Sequence, residues 1–523
     1  MDDHMSANVT RLVDLVRVTT RRQPGAPAID FDSGSRTFAE VYGRGLKLAH
    51  ALLGTGLEPG DAVGILALNS PEYLETYLAL QLAGLVAVPV NFRLVAEEVA
   101  YVLGNCEARG LVLGEDFLPL FDGVRSRLPA LQDNSVIVLG RPADHQRAYE
   151  RVLEPAEAQN LARLTSPMSP ATIFYTSGTT GFPKGAMMSH LNVLTRLASW
   201  GWDFGINAAD VVLIPGPLFH MSFSSIALVT LSAGGRVILM NDFTANAALD
   251  LIERYRVTWS FLVPKMLSLL LDALAAPGQR RDVSSIRGIL SSGSPLTKPV
   301  FEQLLQTFPG ARIDDAYGWT ETGWVSLCRH HDMLRKERSV GRAAFGCELA
   351  VLNDAGEEVR PGEVGEIFAA NPIPFLGYYG NPEASSAMRR GKWETGADLG
   401  ILDDDGFLYV VDRKKDMIVS GGENVYPAEI ERVLAQHPKI LEVAVVGVPN
   451  ERWGESPRAC VVLHPGQSAT PEEIIGFCEG RIARYKHPRS VTFLETVPRN
   501  AMGKVLRREL RERYWQGRKV KVQ

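Results

Sequence analysis

Strand-length apolar runs alternate with capped helical segments over the first three hundred residues, and this alternation restricts the chain to an α/β fold with largely parallel sheets. Thr37-Phe38-Ala39-Glu40 is a capping box, a Thr N-cap with Glu three residues on, and it opens an amphipathic run that reaches Leu52. A turn region (Gly56, Pro59, Gly60) and the apolar run Val63–Leu68 follow, and then Ser70 caps a second helix with Pro71 at its first position. Further strand-like runs lie at Ala171–Thr176, Val211–Pro215, Arg236–Met240, Trp259–Val263 and Gly288–Leu290.

Beyond about Pro361 short strands and turns dominate: GEVGEIF, GFLYVVD, then SGGENVYP leading into a helix at Pro427. A strand at Glu442–Val448, an edge region at Cys460–Leu463 and a helix boxed by Thr470, Pro471 and Glu473 complete a small α+β domain. A chain of 523 residues is too long for one compact core, so the expectation is two domains. The large one, 1–412, is built of mixed and parallel sheets flanked by helices. The boundary falls in the charged segment DRKKD, Asp412–Asp416, with 413–416 as the hinge, and 417–523 forms the small mobile domain.

An apolar share of 46% and a charged share of 22% are those of an ordinary globular protein, and a formal charge of -5 gives no reason to expect nucleic acid as a partner. The basic tail from Lys504 to Lys521 reads as a solvated helix face, and His330 and His331 as surface loop. Cys106, Cys328, Cys347, Cys460 and Cys478 are scattered and lack C-x-x-C pairing, the usage of free buried thiols in a reducing cytosol. The start, MDDHMSANVTRL, lacks the apolar segment of a signal peptide. The longest near-apolar run, Tyr77–Val90, falls short of the roughly 20 residues that span a membrane. A cytoplasmic location with no integral membrane segment is expected.

The strand ATIFYT runs into SGTTGFPKG, in which glycines 178, 181 and 185 let backbone N–H groups approach anionic oxygens. Ser177, Thr179 and Thr180 add hydroxyl donors to Thr176, and Lys184 adds a charge. A Gly-rich turn after a buried strand is where nucleotides sit in open α/β sheets, so this is a phosphate-holding loop. Kinase-type G-x-x-x-x-G-K-[ST] fails on spacing, because Pro183 precedes the Lys and Gly185 follows it. The loop therefore belongs to another kind of ATP chemistry.

With DAYGWTETG at Asp315–Gly323, SSGSPL at Ser291–Leu296, PLFH at Pro217–His220, WETGADLG around Asp398 and PRNAMGK at Pro498–Lys504, the chain resembles the acyl- and aryl-CoA synthetases. These belong to the adenylate-forming superfamily, together with luciferases and peptide-synthetase adenylation domains. The resemblance covers nearly the whole chain and implies a role for each matching residue. By that resemblance, Asp315, Tyr317, Gly318 and Thr320 belong to the nucleotide motif, with Tyr317 stacking on adenine and Thr320 donating to the α-phosphate. Glu321 is the Mg²⁺ ligand, with a second oxygen from Thr176. Gly293 and Ser294 line the adenine and acyl pockets, and His220 gates or orients the carboxylate. Phe219, Phe223, Ser224, Trp319 and Trp324 approach the acyl pocket, which fits an apolar tail or an aromatic ring.

The same resemblance implies that Asp398 holds the ribose hydroxyls with Arg413 as companion, although Ala397 intervenes where relatives read Thr-Gly-Asp. Lys415 is the hinge. Gly421 and Gly422 let the pantetheine arm of CoA pass, Trp453 and Tyr485 sandwich its adenine, and Lys504 is the catalytic lysine. The implied cofactors are ATP, Mg²⁺ and coenzyme A. A carboxylate attacks the α-phosphorus of ATP, pyrophosphate leaves, the small domain turns, and the CoA thiol takes the acyl group from AMP. The partners are small molecules, and oligomeric state is not legible. Transfer to a separate carrier protein and a luciferase-like oxygenase remain as alternatives.

Overall fold

A computed structural model describes residues 9–515 other than 33, 143–146, 157–158, 160, 162–164, 177–182, 279, 295, 415, 421–422, 451–452 and 500–504. Backbone contacts divide the chain into two compact units, residues 1–349 with 369–394, and residues 350–368 with 395–523. Residues 395–412 therefore group with the C-terminal unit rather than with the segment that precedes them. The reason is strand pairing: Trp393–Leu402 is hydrogen-bonded to Leu408–Arg413 in antiparallel register, and Gly365–Ala370 lies on its other side.

The first unit contains mixed, largely parallel sheets, as expected from the sequence. Among the described residues one has nine strands, with Arg312–Trp319, Gly288–Ser292, Trp259–Phe261, Val211–Ile214, Arg236–Leu239 and Pro27–Phe31 parallel in its middle and antiparallel strands at either edge. The other has eight, parallel from Pro170–Thr176 through Val86–Pro89, Ala62–Leu66, Gly110–Gly114 and Val136–Leu139 to Arg147–Ala148. Lys184–Ser189 and the two-residue strand Gly377–Tyr378 add antiparallel to its far edge. Helices Pro71–Ala83 and Met221–Ala233 are buried around almost their whole circumference, which explains why neither reads as amphipathic.

The local start signals hold where they depend on neighbours in sequence. Helix Phe38–Leu53 begins with both halves of the box: Thr37 N–H donates to Glu40 Oε2 at 2.7 Å, and Glu40 N–H donates to Thr37 Oγ1 at 3.3 Å. Ser70 Oγ accepts from Tyr73 N–H at 3.2 Å. The box at Thr470 is only half made. Its hydroxyl accepts from Glu473 N–H at 3.2 Å, but the Glu473 carboxylate turns to Lys439 at 2.7 Å instead of returning to the cap.

In the C-terminal unit the region Cys460–Leu463 is not an edge. It belongs to Gly454–Leu463, which pairs with Ile440–Asn450 on one side and with Ile418–Ser420 and Ser490–Phe493 on the other. Ala459, Cys460, Val461 and Val462 are all buried, because both faces of an interior strand are covered. The basic tail is also more than a solvated face. Helix Arg507–Trp515 buries Leu510, Arg507 pairs with Glu431 at 2.7 Å, and Trp515 Nε1 donates to the Gly447 carbonyl at 3.1 Å. His331 is exposed as expected, whereas His330 Nδ1 accepts from Ile313 N–H at 3.2 Å.

All five cysteines are free thiols, four of them buried and Cys347 half-buried. Burial pushes Cys106, Cys328 and Cys347 up to about 12 and Cys460 and Cys478 up to about 11. No helix among the described residues is long and apolar enough to cross a membrane.

Replacing Thr37 by Ala removes the hydroxyl that accepts from Glu40 N–H and leaves the Thr37 N–H bond to Glu40 in place. Amide exchange in the first turn of helix Phe38–Leu53 is expected to speed up by an amount equivalent to about 1 kcal/mol, with the strands unaffected.

Candidate active site

The two strands that flank the glycine-rich segment pair with each other. Pro170–Thr176 pairs antiparallel with Lys184–Ser189, Thr176 standing opposite Lys184, and the next helix starts only at His190, where Ser189 Oγ accepts from Asn192 N–H at 3.0 Å. Ser177, Gly178, Thr179, Thr180 and Gly181 lie outside the described residues. The two ends of the loop are described: Lys184 Nζ stands 5.2 Å from the centre of the Tyr378 ring, and Thr176 is half-buried.

Tyr378 connects this strand pair to a second one. Strands Arg312–Trp319 and Gly323–Cys328 pair antiparallel with Trp319 opposite Gly323, so Thr320, Glu321 and Thr322 form a three-residue turn. A Cβ at Gly318 would sit 1.9 Å from the Gly323 carbonyl oxygen, so only glycine lets the strands close here. Tyr317, Trp319 and Thr320 are half-buried and open to approach, while Glu321 is buried. The Tyr378 hydroxyl donates to Glu321 Oε1 at 2.5 Å, leaving the second carboxylate oxygen for another partner. Burial, and then the Glu321 charge, push the phenol well above its ordinary value, so it stays protonated and remains a donor.

From beneath, the buried Arg196 guanidinium donates to the carbonyl oxygens of Thr320 at 3.2 Å and Glu321 at 2.8 Å. Nothing near either residue in the sequence marks Tyr378 or Arg196. Asp315, at the start of the motif, is buried, and that burial pushes its carboxyl up to about 8, so it is mostly protonated at neutral pH.

Strand Gly288–Ser292 delivers Gly293 and Ser294 as an exposed loop, with Gly293 at φ 92°. The strand end is tied to the hairpin by Trp324 Nε1, which donates to Ser292 Oγ at 3.2 Å. The loop carrying His220 is fixed by Asn69, another residue that local sequence does not mark. Its amide donates to the carbonyls of Gly216 at 2.9 Å and Met240 at 2.7 Å, and its oxygen accepts from Leu218 N–H at 2.8 Å. His220 itself caps helix Met221–Ala233: Nδ1 accepts from Ser222 N–H at 3.3 Å, which puts the proton of the neutral ring on Nε2. Burial pushes the imidazole down to about 4, so His220 offers a neutral N–H donor rather than a cation. Phe219 meets the edge of Phe92 at 5.2 Å beside it, and Trp324 stacks on Trp200 at 3.8 Å between ring centres.

Within the C-terminal unit, Asp398 stands opposite Arg413, with Nε 3.4 Å from Oδ1. The intervening Ala397 takes up left-handed backbone at φ 57°, a conformation that costs a non-glycine residue about 1–2 kcal/mol. It is held there because its N–H donates to Thr395 Oγ1 at 2.9 Å and its carbonyl accepts from Lys414 N–H at 2.9 Å. Thus the departure at Ala397 is accommodated by one left-handed residue within the strand Trp393–Leu402, and Asp398 keeps its partner. Trp453 and Tyr485 are both exposed, at 39% and 41%. Lys415, Gly421, Gly422 and Lys504 lie outside the described residues.

The sequence profile of the AMP-binding enzyme matches residues 16–379, and that of the AMP-binding enzyme C-terminal domain matches residues 429–504. The chain belongs to the AMP-binding enzyme family. It is an adenylate-forming enzyme of the acyl-CoA synthetase class. It is 34% identical to a fatty acid–[acyl-carrier-protein] ligase, ScoC, of Streptomyces coeruleorubidus, over 98% of each chain. It is 36% identical to an indoleacetate–CoA ligase of Aromatoleum aromaticum, over 94% of this chain and 95% of that one. The crystal structure of ATP-bound MatB from Rhodopseudomonas palustris superposes with a TM-score of 0.88 at 29% identity, covering 98% of this chain and 100% of that one.

For an AMP-binding enzyme the donor set at the Thr320–Glu321 turn suits magnesium. Glu321 presents one hard carboxylate oxygen, and among the described residues no cluster of three acid, His or Cys side chains forms a protein cage. Mg²⁺ is usually held in this way, by one or two carboxylates with the remaining positions taken by phosphates and water.

Unfolded, His220 takes up its proton near pH 6.5; folded, only near pH 4, so protonation favours the unfolded chain. The stability that its neutral ring contributes is complete above about pH 6.5 and is lost as the pH falls towards 4. His220→Asn, which keeps a capping acceptor, is expected to lose less melting temperature than the parent between those values. Ala397→Gly relieves the left-handed strain against a smaller loss of chain entropy, and a net gain of about 0.5–1 kcal/mol is expected in denaturant unfolding of the C-terminal unit.

Proposed function

We propose that the protein couples a carboxylic acid bearing an aromatic ring or an apolar chain to coenzyme A through an acyl-adenylate. The observation that carries the adenylation half is the buried Glu321 carboxylate, fixed by the Tyr378 hydroxyl at 2.5 Å beside the half-buried Tyr317 and Thr320. A carboxylate oxygen of the acid attacks the α-phosphorus of ATP, the bond to the β-phosphate oxygen breaks, and pyrophosphate leaves. No protein base is required, because the acid is already ionised. Glu321, with Thr176, would hold the magnesium ion, which offsets charge on the phosphoryl oxygens when bound. Thr320 donates to the α-phosphate, Lys504 adds positive charge, and His220 orients the carboxylate with its neutral Nε2–H. Asp398 and Arg413 hold the ribose.

In the second half, the CoA sulfur attacks the acyl carbonyl, its proton passes to solvent, and AMP departs. The two exposed aromatics, Trp453 and Tyr485, support CoA as acceptor, since exposed rings suit a purine. The aromatic surroundings of Phe219 and Trp324 support a ring-bearing acid, in keeping with the indoleacetate ligase among the relatives. A second reading, transfer to the phosphopantetheine of a carrier protein, is favoured by the likeness to the acyl-carrier-protein ligase over the full chain.

Pyrophosphate release, followed over fatty, benzoic, cinnamic and indole acids with either CoA or a holo carrier protein, tests the proposal. Turnover with an aryl acid and CoA is the expected result, and turnover only with the carrier protein overturns the CoA assignment. Lys504→Ala is expected to lower adenylation about 10²–10³-fold while thioester formation from supplied acyl-AMP largely survives. Equal loss in both halves would remove Lys504 from the adenylation step.

A further inference from the structure

Arg196, on helix His190–Phe204, joins the interior to the Thr320–Glu321–Thr322 turn, and burying it is costly. Its guanidinium is buried, and that burial pulls its pKa down to about 10, against the pull of the carboxylates of Glu394 and then Glu321. Two of its contacts are to thioethers, Met221 Sδ at 3.0 Å and Met188 Sδ at 3.4 Å, which are weak acceptors. The strong acceptors are two consecutive carbonyls of the turn, Thr320 and Glu321. Space for the guanidinium stem exists because position 323 is glycine: a Cβ there would lie 3.0 Å from Arg196 Cδ and 3.1 Å from Nε.

Peptide planarity gives these contacts a consequence. A carbonyl drawn inward onto Arg196 directs the N–H of the same trans peptide outward, so the fork fixes the outward N–H of both Glu321 and Thr322. It also fixes the backbone from which the Thr320 hydroxyl and the Glu321 carboxylate project. Tyr378 holds that carboxylate from its far end at 2.5 Å. The turn is therefore clamped twice, at its backbone and at its side chain, by residues far apart in sequence.

We infer that Arg196 is a positioning residue for adenylation: its two-pronged guanidinium sets the peptide planes of the Thr320–Glu321 turn from beneath, without touching nucleotide or acid. The inference rests on the adenylation chemistry of the family and is independent of which acid or thiol is used. A lysine at this position keeps the charge but loses the fork, and a glutamine keeps a donor without charge.

The test uses the full chain carrying Arg196→Lys and, in parallel, Arg196→Gln. The ligand-free readout is hydrogen exchange of the peptide spanning 318–324. It is expected to rise at least tenfold in both variants, while exchange in the Gly288–Ser292 and Pro170–Thr176 strands stays at the parent value. In acid-dependent ATP–pyrophosphate exchange, kcat is expected to fall at least tenfold with KM for the acid changed less than threefold, since the acid's contacts are untouched. Thioester formation from supplied acyl-AMP should fall much less. A variant with a lowered melting temperature but unchanged exchange at 318–324 and kcat within twofold of the parent would make Arg196 a packing residue and overturn the inference. Should one variant fail to fold, the other decides on the same two readouts. Should the parent turn over none of the acids tried, the exchange measurement still decides for or against Arg196.

Discussion

The antiparallel pairing of Gly377 with Met187 and of Tyr378 with Ala186 is a short piece of sheet, yet it determines where the phenol of Tyr378 stands. From that position one ring touches both halves of the candidate site, with Lys184 at its face and Glu321 at its hydroxyl. A slip of one residue in this register would turn the ring to the other side of the sheet and leave Glu321 buried without a donor. An unpaired buried carboxylate is expensive, so the pairing and the hydrogen bond stabilise each other.

The same economy of contact appears beneath the turn. A three-residue hairpin loop has little internal hydrogen bonding, and its shape is set from outside by Arg196 on one side and Tyr378 on the other. Gly318 lets the flanking strands close, and Trp324 ties the neighbouring loop at Ser292 to the same strand pair. Residues that meet the solvent-facing side of the turn are thus carried by a support made almost entirely of buried groups.

Much of the architecture was legible because it is local. The Thr37–Glu40 box, the Ser70–Pro71 helix start and the parallel strands at Val211, Arg236, Trp259 and Gly288 depend on residues within a few positions of each other. The half-made box at Thr470 failed for a tertiary reason, since Lys439 attracts the Glu473 carboxylate that a local rule assigns to the cap. Cys460–Leu463 looked like an edge because its second neighbour, Ser490–Phe493, lies some thirty residues downstream. In the site, motif residues such as Tyr317, Thr320, Glu321 and Asp398 were named from resemblance. The residues that hold them, Arg196, Tyr378 and Asn69, were not, because only helix docking and sheet register bring them there. Ala397 shows the converse: an irregularity visible in the sequence whose effect, one left-handed residue between Thr395 and Asp398, needed the backbone to define it.

The thiols have a bearing on the chemistry that their burial alone does not announce. An enzyme that generates a mixed acyl–phosphate anhydride holds an electrophile that any thiolate would intercept. Here all five cysteines are held as un-ionised thiols, raised to about 11–12, and four of them are out of reach of solvent. At neutral pH none of the five is a thiolate, so the cysteines of this chain are poor acceptors for an activated acyl group.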